Sequence, residues 1–226
     1  HAYDLSRGCT IGGSRVLLRK WLAVPDGIAV SENRKWIAVS NHDSGHVFLY
    51  ENTPALNENS DPDGILRCIA YPHGVRFVAD DRFIFAADAG APYVNVYAGD
   101  AANWRGVRNP VLTFRVLDQD LFLRGRVNPM EGGPKGIDLA GEVMAVASEL
   151  RELAFFDAVP VLQSAAAREA EARAVFTYPE ETHRQDAFAV ADELDRVRMF
   201  NDAVTRAKQT EQQAAAAAMR ADLAEL

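Results

Sequence analysis

Cysteine is nearly absent from this chain of 226 residues. Cys9 and Cys68 are the only two, too few for a disulfide framework. Cys68 stands in an apolar stretch and reads as a small core residue. Long apolar runs are missing as well: nothing approaches the ~20 residues that cross a bilayer. No leader-like segment is visible, so cytoplasm is the expected compartment. Positive charge is outweighed, with 24 Lys and Arg against 32 Asp and Glu and a formal net charge of −8. That balance disfavours nucleic acid and anionic membranes as partners. The common catalytic signatures are lacking too. There is no GxSxG and no P-loop. Gly8-Cys9-Thr10-Ile11-Gly12-Gly13 does not sit between a strand and a helix, as a dinucleotide site requires. Cys9 as a nucleophile has no assignable base.

What the chain has is a tripeptide that returns three times: Pro25-Asp26-Gly27, Pro72-His73-Gly74 and Pro134-Lys135-Gly136. Each opens a similar run: PDGIAVSENRKWIAVSNHDSGHVFLY, PHGVRFVADDRFIFAADAGAPYVNVY and the shorter PKGIDLAGEVMAVASELRELAFF. From Pro25 to Tyr50 is 25 residues, from Pro72 to Tyr97 is 25, and from Pro134 to Phe156 is 22. Such self-similarity marks a repeat architecture. Each run divides into three short strands rich in Val, Ile, Phe and Tyr, which suit a pleated and buried surface. Turn-forming residues separate them. A fourth strand is expected before each tripeptide, at Val16–Val24, Ile65–Tyr71 and Val111–Val116, and again at Ala172–Tyr178. The glycine allows a sharp entry into the innermost strand, and the proline belongs at a strand boundary.

Four antiparallel strands per repeat of roughly 40–50 residues is the pattern of a propeller blade. The expected fold is mainly β: a partial β-propeller of about three four-stranded blades, at 15–71, 72–117 and 134–178, plus part of another, with a C-terminal α-helix. Residues 1–180 make the blades and 181–226 a helical tail. Rings take typically 4–8 blades, so either a longer protein or a second chain completes this one.

The PDG and PHG openings, with IAVSN or IFAAD and then VFLY or VNVY, resemble the blades of YVTN/NHL/lactonase-like propellers. The resemblance covers about Val16 to Asp157 and is one of repeats, not of any single enzyme. It implies a central channel lined at one end by repeat-equivalent residues. Asp26, His73 and Lys135 form one such set, and Asn41, Asp88 and Glu149 a second. These six are the candidate ligand-binding residues. In metal-dependent lactonases of this broad group, carboxylates and asparagines hold a divalent cation, which the resemblance maps onto Asp26, Asn41 and Asp88. His73 and Lys135 break that pattern, and a protonated lysine cannot bind a metal. No tightly bound divalent ion and no cofactor are therefore expected. His42, Asp43 and His46 straddle a hairpin turn, where histidines four apart lose the shared face a helix would give them.

After Pro179 the blade pattern stops. Val190, Leu194, Val197, Phe200 and Val204 follow three-and-four spacing and form one apolar stripe. Two readings stand: a helix packed on the blades, or the start of a coiled coil. The expected function is a non-catalytic binding or scaffolding module. Its helix joins it to a protein partner or a further domain, and a small molecule or sugar occupies its channel. The alternative is a lactonase-like hydrolase with a polar channel site.

Overall fold

The computed structural model describes residues 2–3, 14–100, 103–151, 153–175 and 182–224. A short ladder pairs β1 (Ala2–Tyr3) with β2 (Ser14–Arg15). The first large sheet follows with β3 (Pro25–Val30), β4 (Trp36–Asn41), β5 (His46–Glu51) and β6 (Gly64–Leu66), each antiparallel to its neighbour. The second holds β7 (Pro72–Val78), β8 (Phe83–Asp88) and β9 (Tyr93–Ala98). The chain then returns to the first sheet, where β10 (Gly106–Arg108) pairs in parallel with β6. β11 (Leu112–Arg115) completes the second sheet beside β9. Helix α1 (Gln119–Arg124) is N-capped by Asp118, whose side chain accepts from the Leu121 N–H. The third large sheet is β12 (Pro134–Ala140), β13 (Val143–Ser148) and β14 (Ala154–Asp157). Helices α2 (Val159–Val175) and α3 (Thr182–Ala224) follow. Among the described residues, no helix is long and apolar enough to cross a membrane.

The architecture is thus mainly β, with a C-terminal helix. Each tripeptide begins an edge strand, and each of those strands slips register just after its proline, between Pro25 and Ile28, Pro72 and Val75, and Pro134 and Gly136. Three expected fourth strands fail. Val16–Val24 is not a strand, because Trp21 and Val24 adopt left-handed φ of 72° and 53°, which no ladder accommodates. Ile65–Tyr71 pairs only through Leu66, because Cys68 has φ of 63° and turns the chain out. Cys68 is accordingly exposed and not a core residue. Ala172–Val175, the start of the last expected strand, is the end of α2, and among the described residues the third sheet has three strands. Cys9 and residues 176–180 lie outside the described residues.

Three apolar cores join these layers. One lies between the second and third sheets, with Phe83, Phe85 and Val96 against Ile137, Met144 and Val146, and is roofed by Ala165 of α2. Another lies between the first and second sheets, with Trp36, Leu49, Val75, Ile84 and Trp104. In the third, Val190, Leu194 and Val197 of α3 cover Ile37, Phe48, Tyr50 and Ile65. Part of the apolar stripe therefore packs on the first sheet, while Phe200 is 46% exposed. Glu193 anchors this dock. Buried on α3, its carboxylate meets His46 Nε2 at 3.0 Å, Arg67 at 3.3 Å and Arg196 at 2.9 Å.

The sheets meet most closely at the tripeptides. A Cβ on Gly27 would lie 2.2 Å from the His73 carbonyl oxygen, and one on Gly74 would lie 2.8 Å from that of Lys135. Gly136 has only the Ala147 methyl nearby, at 3.2 Å. Gly27→Ala forces two backbones apart and is expected to cost about 1–3 kcal/mol or more. Gly136→Ala is expected to cost less than about 1 kcal/mol. Urea unfolding of both variants checks this, and equal costs would contradict the sheet-to-sheet contact.

Candidate functional site

The same close approach sets Asp26, His73 and Lys135 side by side. The Asp26 carboxylate contacts His73 Nδ1. Between His73 and Lys135 stands Glu131, from the Asn128-to-Gly133 loop that precedes the third tripeptide. That loop is tightly specified. Asn128 Oδ1 accepts from the Met130 and Glu131 N–H groups at 2.9 and 2.8 Å. The Gly132 and Gly133 N–H groups both donate to the Ala89 carbonyl, at 2.9 and 2.8 Å. A Cβ on Gly133 would sit 2.1 Å from the Ala91 oxygen and 2.3 Å from the Asp88 oxygen, so only glycine fits.

Glu131 is the hub. Its Oε2 lies 3.3 Å from His73 Nε2 and 3.4 Å from Lys135 Nζ. Its Oε1 lies 3.1 Å from His42 Nε2 and accepts from Asn128 Nδ2 at 3.1 Å. Lys135 Nζ also reaches Glu149, at 3.6 Å. His42 turns its Nδ1 to Asp43 Oδ1 at 3.1 Å. The His42 ring packs against Tyr71 and stands edge-on to His73, with centroids 4.9 and 5.0 Å away. His73 Nε2 is buried and, although 3.3 Å from Glu131, has no hydrogen-bond partner among the described residues.

Of the six residues expected from sequence, Asp26, His73, Lys135 and Glu149 come together here. Asn41 and Asp88 do not point to this cluster. Asn41 Oδ1 accepts from the Ala23 N–H at 2.6 Å, and Asp88 accepts from the Ala70, Tyr71 and Gly90 N–H groups, each at 3.0 Å. Both brace the chain just ahead of a tripeptide by satisfying its backbone donors. Glu149 is not their counterpart. Pro25 pairs with Asn41 and Pro72 with Asp88, but Pro134 pairs with Ser148. Glu149, one residue on, corresponds to His42. The two histidines of the hairpin part company: His42 joins the cluster and His46 holds Glu193 of α3.

Sequence reasoning missed Glu131 altogether. A signal was present: three residues before their prolines the first two repeats carry Leu22 and Ile69, and the third carries Glu131. Ile69 is buried in a core. An acid at an apolar position of a repeat marks a departure that packing does not explain.

Burial holds His73 below the ordinary imidazole range. Asp26 and Glu131 oppose that shift, while His42 and Lys135 add to it. Burial works the other way on Glu131, but the Asn128 hydrogen bond with His42 and Lys135 outweighs it and lowers its carboxyl. Glu131 is thus an anion facing a neutral His73. His42, His73 and Glu131 each offer a ligand atom, all within 4.8 Å of one another. The arrangement can take up a proton, a polar ligand or a cation.

No protein-family model matches the chain, and no curated protein matches it. Among solved structures, hydrazine synthase of Kuenenia stuttgartiensis is similar at 13% identity and a TM-score of 0.43, over 69% of this chain and 38% of that one. A candidate 6-phosphogluconolactonase from Bacteroides uniformis is similar at 14% identity and a TM-score of 0.40, over 66% and 42%. A luciferin-regenerating enzyme is similar at 15% identity and a TM-score of 0.39, over 57% and 38%. The chain spans about two fifths of the length of each. Likeness at this level carries no functional argument.

The lowered His73 has a consequence for stability. A group whose pKa falls on folding binds more protons when unfolded, so stability is present above its unfolded value and lost as pH falls through it. Lowering the pH from about 7.5 to about 5.5 crosses the ordinary histidine value of 6.5. Over that window His73→Gln is expected to lose less stability than wild type, by about 1 kcal/mol or less. Thermal melts of both across the window check it, and a steeper loss in the variant would contradict it.

Proposed function

We propose that the three large sheets are consecutive blades of a YVTN/NHL-like β-propeller, and that the protein is a ligand-binding module with its site at the mouth of the inner strands. Repeat-equivalent positions support the blade reading. Val75 and Ile137 are 1% and 6% exposed, each covered by the sheet before it, whereas Ile28 at the same position is 62% exposed. At the other end, Phe85 and Val96 are fully buried, while Phe155 is 66% exposed. These two end faces are the surfaces that further blades would cover. Helix α3, about 65 Å long at 1.5 Å per residue, is the connector to a protein partner or further domain.

The observation that carries the binding reading is the convergence of Asp26, His73, Lys135 and Glu149 around one buried carboxylate, Glu131. The mixture suits a small polar ligand such as a sugar or a hydroxy acid: carboxylates accept from hydroxyls, and Lys135 donates to a carbonyl or carboxylate oxygen. A second reading, a lactonase-like hydrolase, is favoured by one feature. His73 has Nδ1 held by Asp26 and Nε2 without a hydrogen bond, the arrangement of a general base.

The test is a melting-temperature and turnover screen with monosaccharides, aldonic acids and γ- and δ-lactones, run with a chelator present. A ligand that stabilises by about 1 kcal/mol raises Tm by about 2–4 °C. That rise is expected to vanish in Glu131→Gln and Lys135→Met. Binding without turnover carries the first reading. Lactone opening by wild type but not by His73→Gln carries the second. A folded chain that binds none of the panel contradicts both.

A further inference from the structure

We propose that His42, His73 and Glu131 form a binding site for one divalent transition-metal ion of the zinc class, with a coordination position left open. The inference rests on reading this cluster as the functional site, and deepens it by naming what the cluster holds.

Three independent features support it. The first is spacing. Around a tetrahedral ion with bonds of about 2.0–2.1 Å, ligand atoms lie about 3.3 Å apart. Here one ligand atom from each of His42, His73 and Glu131 lies within 4.8 Å of the others. The two Glu131 oxygens divide between the rings, Oε1 3.1 Å from His42 Nε2 and Oε2 3.3 Å from His73 Nε2, so the three draw together by up to about 1.5 Å around an ion. The second is orientation from behind. A metal-bound histidine characteristically gives its other ring N–H to a carboxylate, which fixes the tautomer and aims the lone pair. Both histidines have this: His73 Nδ1 faces Asp26, and His42 Nδ1 faces Asp43. The third is an unmet need. His73 Nε2 is buried and, with Glu131 Oε2 3.3 Å away, makes no hydrogen bond among the described residues. With Nδ1 carrying the proton for Asp26, Nε2 is a lone pair aimed into the cluster. A buried polar atom left so is costly, and a cation answers it.

The ligand set of two imidazoles and one carboxylate selects for zinc, iron(II), cobalt(II) or nickel(II) over calcium or magnesium, which take oxygen. The donors also come from separate places: the β4–β5 turn, β7 and the Asn128-to-Gly133 loop. Three protein ligands leave a position for water or substrate. Lys135, 3.4 Å from Glu131 Oε2, is the opposing term. Its ammonium repels a cation, and Glu149 at 3.6 Å is the carboxylate that can draw it aside. His73 and Lys135 break an all-oxygen ligand pattern, and Glu131 supplies an anion beside both.

The experiment uses the full chain stripped with chelator and titrated with Zn2+ in competition with a chromophoric chelator, and separately with Co2+. The expected result is one equivalent of Zn2+, and visible Co2+ absorption of the intensity that four-coordinate sites show. Glu131→Gln, His42→Gln and His73→Gln are each expected to weaken binding at least 100-fold. Asp26→Asn, which removes only the orienting carboxylate, is expected to weaken it about 10–100-fold. Lys135→Met should tighten it. That gain needs no damage to the fold and is not expected of a merely structural residue. His46→Gln, whose ring serves Glu193 instead, should leave stoichiometry and affinity unchanged. No Zn2+ or Co2+ binding by the folded chain, or binding indifferent to Glu131→Gln and His73→Gln, overturns the proposal. Neither outcome touches the chelator-treated ligand screen, so the two failures are distinguishable.

Discussion

The structure depends on how closely the backbones of successive tripeptides approach. Gly27 meets the His73 carbonyl and Gly74 meets that of Lys135 at distances that leave no room for a Cβ. This contact has two effects. It lets neighbouring sheets close over a shared apolar core, in which Val75 and Ile137 are buried. It also brings the middle residues of the tripeptides, Asp26, His73 and Lys135, within reach of one another. A polar cluster is thus a by-product of good packing, because Gly27 and Gly74, each just after a middle residue, carry the steric constraint while the middle side chains do not.

Glu131 turns that row of side chains into one connected polar cluster. Without it, His73 would answer only to Asp26, and Lys135 to Glu149. With it, three basic groups converge on one buried carboxylate. The loop that delivers it is held by backbone hydrogen bonds to Ala89 and by a glycine with no space for a side chain. A second carboxylate, Glu193, does comparable work elsewhere, gathering His46, Arg67 and Arg196 where α3 docks. His42 and His46 leave the same hairpin for these two different carboxylates.

Much of the fold was legible in sequence because repeats expose it. Inner strands fell where the tripeptides placed them, and Leu112–Arg115 appeared within the expected Val111–Val116. Outer strands were the weak point. Their pairing ends where single residues such as Trp21 and Cys68 turn left-handed, and propensity does not announce that. The parallel strand Gly106–Arg108 was invisible for another reason: three residues paired across 42 positions leave no periodic trace. For the site, repeat equivalence found Asp26, His73 and Lys135. It misassigned Glu149, because the third repeat is shorter. It grouped Asn41 and Asp88 with the others, whereas their side chains accept from backbone N–H groups instead of reaching this cluster, because a polar residue bracing a turn looks the same in sequence as one facing a channel. Glu131 lay outside any repeat template, in an insertion.

The state of the His73 ring is the most direct test of the account. Long-range proton–nitrogen correlation NMR on ring-labelled, metal-free protein reports which nitrogens carry protons. The arrangement of Asp26 behind Nδ1 and an unbonded Nε2 predicts a neutral ring at pH 7, protonated on Nδ1. A ring protonated on Nε2, or on both nitrogens, would contradict it.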